Sequence, residues 1–167
     1  MIQLVISDTN ILIDLHTADL LDYFFSLPFE VHTTDFVLDE IERTDQKDSI
    51  HEILHGGRLI VDSIFPEQMP EMISLQVGNL SLTDCSVWFY ARTTGAILLT
   101  GDGRLKKKAQ EDGIQVHGIL FVFDELVRLG LIQSTSAATR LETLANYNNR
   151  LPKEEVDRRL QEWKSKA

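Results

Sequence analysis

The stretch Ile2-Gln3-Leu4-Val5-Ile6-Ser7-Asp8-Thr9-Asn10 decides how this chain folds. Ile2 to Ile6 is a short aliphatic run, broken by four turn-forming residues, and it reads as a strand that ends at an acid. Apolar residues return at Ile11, Leu12 and Leu15, a helical spacing. The run Ala96-Ile97-Leu98-Leu99 ends in the same manner, in Thr100-Gly101-Asp102-Gly103. Strands that alternate with helices imply a parallel sheet. In such a sheet Asp8 and Asp102 both stand at the carboxyl edge, where ligands bind.

Working outward, the pattern repeats. A helix is expected near Asp19–Leu27, then a short strand at Val31-His32-Thr33. Thr33 or Thr34 can cap the next helix, with Val37, Leu38 and Ile41 on its apolar face. Residues 42–48 read as a polar connection, and Ser49 as the cap of a helix over Ile50–His55. Leu59-Ile60-Val61 is the third strand, and Pro66 and Pro70 lead into a helix over Glu71–Gln76. A long, largely buried helix runs from Ser81 to about Thr94 and stops at Gly95. A helix over Arg104–Asp112, a strand over Ile114–His117 and a helix over Phe121–Leu129 follow. Two more helices are expected near Thr135–Asn146 and Pro152–Lys164, the second opened by Pro152 with Glu154 and Glu155 behind it. The fold class is therefore α/β: a mainly parallel sheet of four to five strands, helices on both faces, and C-terminal helices. Residues 1–130 form the expected domain, and residues 131–167 a helical extension packed on it.

Length and apolar content suit one domain with a sizeable core. No apolar stretch approaches the roughly 20 residues that span a bilayer. The N-terminus lacks the basic region and cleavage site of a signal peptide. Cys85, the single cysteine, forms no internal disulfide and fits a reducing cytoplasm. Its apolar surroundings make it a core thiol rather than a nucleophile. The net charge of −10 argues against a broad nucleic-acid platform. It leaves room for an enzyme whose basic residues are clustered. Arg104, Lys106, Lys107 and Lys108 form such a cluster, although by composition alone it is a solvated helix face.

Glu40 and Asp84, carried on helices, join Asp8 and Asp102 as candidate site acids. Each also has a purely structural role open to it. Asp8 can cap a helix, and Ser81-x-x-Asp84 has the form of a capping box. Glu40 can be one exposed member of the acidic group Asp39, Glu40, Glu42, and Asp102 can make a tight turn. Their joint placement shifts the balance. Carboxylates gathered from distant parts of a chain repel one another unless a cation neutralises them, and a hard divalent ion is the first choice.

The flanking residues extend this. Ser7-Asp8-Thr9-Asn10-Ile11-Leu12-Ile13 resembles the opening motif of the PIN-domain nucleases. Val37-Leu38-Asp39-Glu40-Ile41 resembles their second acidic motif, Ser81-Leu82-Thr83-Asp84-Cys85-Ser86-Val87 the third, and Leu99-Thr100-Gly101-Asp102-Gly103-Arg104-Leu105 the fourth. The match runs in order from residue 1 to about residue 130, and the C-terminal helices resemble those of toxin-type (VapC-like) members. The resemblance implies a three-layer α/β/α sandwich that cuts RNA, or less often DNA, with Mg²⁺ or Mn²⁺. It implies that Asp8, Glu40, Asp84 and Asp102 hold one or two ions and are the catalytic acids. Asn10 would hold a ligand carboxylate or a water, and Thr100 would orient Asp102 or touch a phosphate. Arg104, Lys106 and Lys107 would meet the nucleic-acid backbone. A homodimer and an antitoxin partner are implied as well. One feature departs from the toxin pattern: Arg104 and Leu105 stand where many members carry a further acid. A second ion is therefore expected to bind weakly, or only with substrate.

Other chemistries compete. His51-Glu52-Ile53-Leu54-His55 matches the zinc-peptidase signature H-E-x-x-H. Gly56-Gly57 cut that helix short, and no third ligand follows at the spacing such enzymes use. A pair of surface histidines is the favoured explanation. His16, His32 and His117 are isolated and read as satisfied polar residues. A receiver-like signalling domain would need an acidic pair after strand one and a lysine after the last strand; here Thr9-Asn10 and Gly118-Ile119 stand there. A catalytically silent PIN-like partner protein, or an RNA-processing factor, remains open beside the nuclease.

Overall fold

The computed structural model describes residues 2–166; Met1 and Ala167, the ends of the two expected segments, lie outside the described residues. The chain runs β1 (Gln3–Ser7), α1 (Thr9–Thr17), α2 (Leu21–Phe24), β2 (Phe29–Thr34), α3 (Asp35–Ile41), α4 (Lys47–His55) and β3 (Ile60–Asp62). A 3-10 turn (Pro66–Gln68) then leads to α5 (Met69–Ser74), α6 (Leu82–Thr94), β4 (Ile97–Leu99), α7 (Gly103–Glu111) and β5 (Val116–His117). Three helices close the chain: α8 (Ile119–Arg128), α9 (Ser134–Tyr147) and α10 (Lys153–Ser165).

The five strands form one sheet in the order β3-β2-β1-β4-β5, and every pairing is parallel. Helices flank both sides, as the alternation of strands and helices requires. The central strands are covered on both faces, so they are written as unbroken apolar runs: Val5, Ile6, Leu98 and Leu99 are buried. Helix α6 lies across β1, β2 and β4. Cys85 to Phe89 and Ala91 are all buried there, as its nearly all-round apolar sequence requires. Ser81 caps its start, and Gly95 ends it at φ 75°, a left-handed turn that glycine adopts without strain. Among the described residues no helix is long and apolar enough to cross a membrane.

Strand β5 is shorter than expected, β2 longer, and α5 lies two residues earlier; three other differences have a visible cause. Helix α4 starts at Lys47, and Ser49 does not cap it; the Ser49 hydroxyl instead lies 3.1 Å from His16 Nε2. Tertiary pairing across 33 positions outweighs the local capping preference here. Helix α2 shrinks to four residues because Asp19, at φ 54°, turns the chain between α1 and α2. Helix α8 begins at Ile119, two residues early, because the extended Gly118 both ends β5 and opens the helix.

The C-terminal helices share the core. Helix α9 packs on α1 and α8, and α10 on α9. Leu141, Leu144, Val156 and Trp163 are buried, and the Trp163 ring stacks 6.2 Å from Phe123. Arg159 grips Asp124 of α8 through Nε and Nη2, at 2.8 and 2.7 Å. Arg140 donates to the carbonyls of Ala18 and Asp19, at 3.1 and 2.7 Å, and so holds the left-handed turn after α1. Leu144→Ala is therefore expected to destabilise the whole fold by about 2–5 kcal/mol. In urea unfolding this should appear as a lower midpoint within a single transition; an early separate transition for the C-terminal helices would contradict it.

Candidate active site

The chain leaves β1 toward β2 and β3 on one side, and returns to β4 and β5 on the other. The carboxyl ends of β1 and β4 therefore form the topological switch point, the place where parallel sheets open a crevice. Asp8 and Thr100 sit there. The Asp8 amide donates to the Leu99 carbonyl at 3.1 Å, which continues the β1–β4 pairing by one residue. Asp8 Oδ1 accepts from the Ile11 amide at 2.9 Å and caps α1. The Thr100 hydroxyl donates to Asp8 Oδ2 and also accepts from the Asp102 amide at 3.1 Å. One buried hydroxyl thus ties the ends of both strands together.

Asp8 is only 5% exposed. Burial pushes its carboxyl up to about 7, against the stabilising hydrogen bonds from Thr100 and Ile11; the Asp84 and Asp14 charges push it further the same way. Asp84 closes the capping box of α6: its Oδ2 accepts from the Ser81 amide at 2.9 Å, and its own amide donates to Ser81 Oγ at 3.0 Å. Burial nevertheless raises its carboxyl above the ordinary range, with Asp102 and Glu40 adding to the effect. Glu40 Oε2 accepts from the Thr9 hydroxyl at 2.7 Å. Asp102 Oδ1 caps α7, accepting from Arg104 and Leu105 at 2.8 and 2.9 Å. The charge of Asp84 thus raises Asp8, while the charges of Asp102 and Glu40 raise Asp84.

Among the described residues none of the four makes an ion pair. Glu40 Oε1, Asp84 Oδ1 and Asp102 Oδ2 accept no hydrogen bond within the described structure. An all-oxygen, mutually repelling set with free lone pairs suits a hard divalent cation. The side chains are nonetheless turned to their caps. Among the described residues no three His, Cys, Asp or Glu groups converge into a ligand cluster.

Asn10, Thr100, Gly101 and Lys106 line a cleft of about 710 Å³ that meets the site at Thr100, the partner of Asp8. Arg104 and Lys107 are exposed on α7. Sequence patterns missed two partners of the site. Thr9 holds Glu40 from 31 positions away. Asp14, on α1, accepts from the Asn148 amide at 2.9 Å across 134 positions, a distance no local pattern records. The H-E-x-x-H segment lies elsewhere: His51 pairs with Glu42, its ring stands 6.5 Å from His55, and His55 and Glu52 are exposed. His32 is satisfied between Glu30, Asp62 and Tyr90, and His117 stacks on Phe121 at 4.0 Å.

With this arrangement in hand, the chain is assigned to the PIN domain family, whose DUF3368 model matches residues 4–165. Members are generally nucleases that use divalent metal ions. A PilT N-terminus domain protein from the hyperthermophilic archaeon Sulfolobus solfataricus is similar in structure, at 16% identity and a TM-score of 0.48, over 72% of this chain and 90% of that one. No curated protein matches the sequence.

Asp14 offers a test of the site's electrostatics. Burial pushes its carboxyl up to about 6, against the Asn148 hydrogen bond and the Arg150 charge. The native state therefore holds this proton to a higher pH than the unfolded chain, where an aspartate titrates near 4 (about 3.9). The sign follows: Asp14 costs the fold stability as pH rises from about 4 through 6, and the cost stays above that window. Asp14→Asn is expected to melt higher than wild type at pH 7.5, with the gap closing as pH falls below 4. A gap that is the same at pH 3.5 and pH 7.5 would contradict the burial effect.

Proposed function

We propose that this chain is a metal-dependent endoribonuclease that hydrolyses RNA phosphodiester bonds with an activated water. The observation that carries the proposal is the buried Asp8 carboxyl at the β1–β4 switch point, linked through Asp84 to two more unpaired acids. Asp8, Glu40, Asp84 and Asp102 would hold Mg²⁺ or Mn²⁺ through oxygen. When bound, such an ion supplies charge neutralisation at the phosphate and a lowered pKa for a water. The residues of the chain do the rest. Thr100 orients Asp8, and Thr9 holds Glu40. Asn10, exposed at the rim, positions a water or a phosphate oxygen. Arg104, Lys106 and Lys107 meet the RNA backbone and give a chain of net charge −10 a local handle on a polyanion. The water oxygen bonds to phosphorus, and the ribose oxygen leaves with a proton.

The resemblance of the C-terminal helices to those of toxin-type nucleases supports the toxin half of a toxin–antitoxin pair, acting in the cytoplasm as a homodimer. An antitoxin would then place a basic side chain among the four acids. A second proposal, a catalytically silent PIN-like partner or RNA-processing factor, draws on a specific observation: all four acids are already engaged, three of them at helix starts.

The two proposals separate on single-stranded RNA with Mg²⁺ or Mn²⁺. Asp8→Asn and Asp84→Asn should each lower the cleavage rate by on the order of 100-fold or more, the scale on which one preorganised electrostatic group acts. Mn²⁺ should raise the melting midpoint of the wild type and not of Asp8→Asn. Equal cleavage by wild type and variants, or cleavage that survives EDTA, would remove the nuclease. Zinc content offers a parallel check: stoichiometric zinc lost in His51→Ala and His55→Ala would revive the peptidase alternative.

A further inference from the structure

We infer that the cleft beside Thr100, the partner of Asp8, is a subsite for one unpaired nucleotide of single-stranded RNA, with Tyr147 as its stacking platform. The inference rests on the RNA-cleaving function proposed above and adds the side chain on which one base of the strand stacks. At about 710 Å³ the cleft has the size of a small-ligand site. Asn10, Thr100 and Gly101 form one side, so the cleft opens on the same sheet edge as Asp8. The connection between α9 and α10, from Tyr147 to Pro152, forms the facing wall.

That wall is fixed in place. The Asn148 side-chain amide donates to Asp14 at 2.9 Å, and the Arg150 amide donates to Asn148 Oδ1 at 3.0 Å. Tyr147 is 76% exposed, more than any other large hydrophobic side chain among the described residues. Its ring stacks on no other ring there, and its hydroxyl makes no hydrogen bond. An aromatic held out on a braced wall is a surface for the face of a base, and base–aromatic stacking is the usual device of single-strand binding.

The charges fit the same ligand. Lys106 and Arg150 line the cleft, and neither makes an ion pair among the described residues. Glu155, also in the lining, is already bound by Arg158 and Arg159 at 2.6 and 2.9 Å. Asp14, the other acid in the lining, is held by Asn148 and lies within reach of the Arg150 charge, so Lys106 is the cation best placed to meet a phosphate beside the aromatic face. A base can lie on Tyr147 only when it is unstacked from its neighbours, which a duplex prevents.

Fluorescence anisotropy with a short oligoribonucleotide, single-stranded or in a duplex, tests this. The measurement is made in an Asp8→Asn background, so that binding is read without cleavage. Tyr147→Ala should weaken binding of the single strand roughly 5- to 150-fold, the range for loss of one stacked base. Tyr147→Phe should stay within about twofold, duplex binding should not change, and the melting midpoint should barely move, because the ring is 76% exposed. With Asp8 restored, Tyr147→Ala should raise KM and leave kcat nearly unchanged. Equal affinity with and without Tyr147, equal losses on single strand and duplex, or no binding of either strand would each overturn the subsite. Cleavage by the Asp8 protein with no effect of Tyr147 would overturn the subsite alone and leave the cleft to a protein partner. A Tyr147 effect without any cleavage would overturn the nuclease alone.

Discussion

The Thr100 hydroxyl stands between two acids, donating to Asp8 and accepting from the Asp102 amide. Asp8 follows β1 directly, and Asp102 follows β4 after Thr100 and Gly101. These are the two strands from which the sheet runs in opposite directions. A switch point leaves the ends of two neighbouring strands uncovered by crossover helices, and polar groups there need partners. The hydroxyl supplies one to each strand end. It also explains why an acid can stay 95% buried: without Thr100 and the Ile11 amide, burial would push the Asp8 proton higher still. Threonine cannot be exchanged for valine at that position on grounds of shape alone, because both hydrogen bonds would go unmade.

Most of the strand and helix order was legible because this sheet is covered on both faces. Coverage forces apolar runs such as Ala96 to Leu99, and each run ends where the chain must turn. The acids at those ends could be located for the same reason. What stayed hidden depends on contacts between distant residues. Ser49 looks like a cap and instead meets His16; Asn148 looks like a loop residue and instead braces Asp14. Periodicity describes which face of an element is buried, not which partner it meets. The Tyr147–Pro152 wall was illegible for that reason: its place beside Thr100 exists only once α9 has packed on α1.

Charge is arranged against its average. The chain carries ten more acids than bases, yet Lys106 and Arg150, without ion pairs among the described residues, line a cleft beside Thr100, the partner of Asp8. Ion pairs elsewhere engage most of the other arginines, as where Arg159 holds Asp124 and Glu155. That pairing keeps Glu155 from cancelling Arg150 across the cleft. Local sign, set by which residues are already partnered, decides what a cleft attracts; net charge governs only the long-range approach.

The structural and chemical roles of the four acids are compatible, and the reason is the number of lone pairs. An ionised carboxylate offers about four acceptor positions on two oxygens. Capping takes one oxygen of Asp84 and one of Asp102, and Thr9 takes one of Glu40. In each case the second oxygen is left without a hydrogen bond in the described structure. A helix N-terminus also carries positive partial charge, which favours a carboxylate staying ionised there. Caps that hold one oxygen fix the position of the other. Asp8 differs, because both of its oxygens are engaged. It is also the most buried of the four, so it is the acid whose charge gains most from a neighbouring cation and the one that must share an oxygen to bind it.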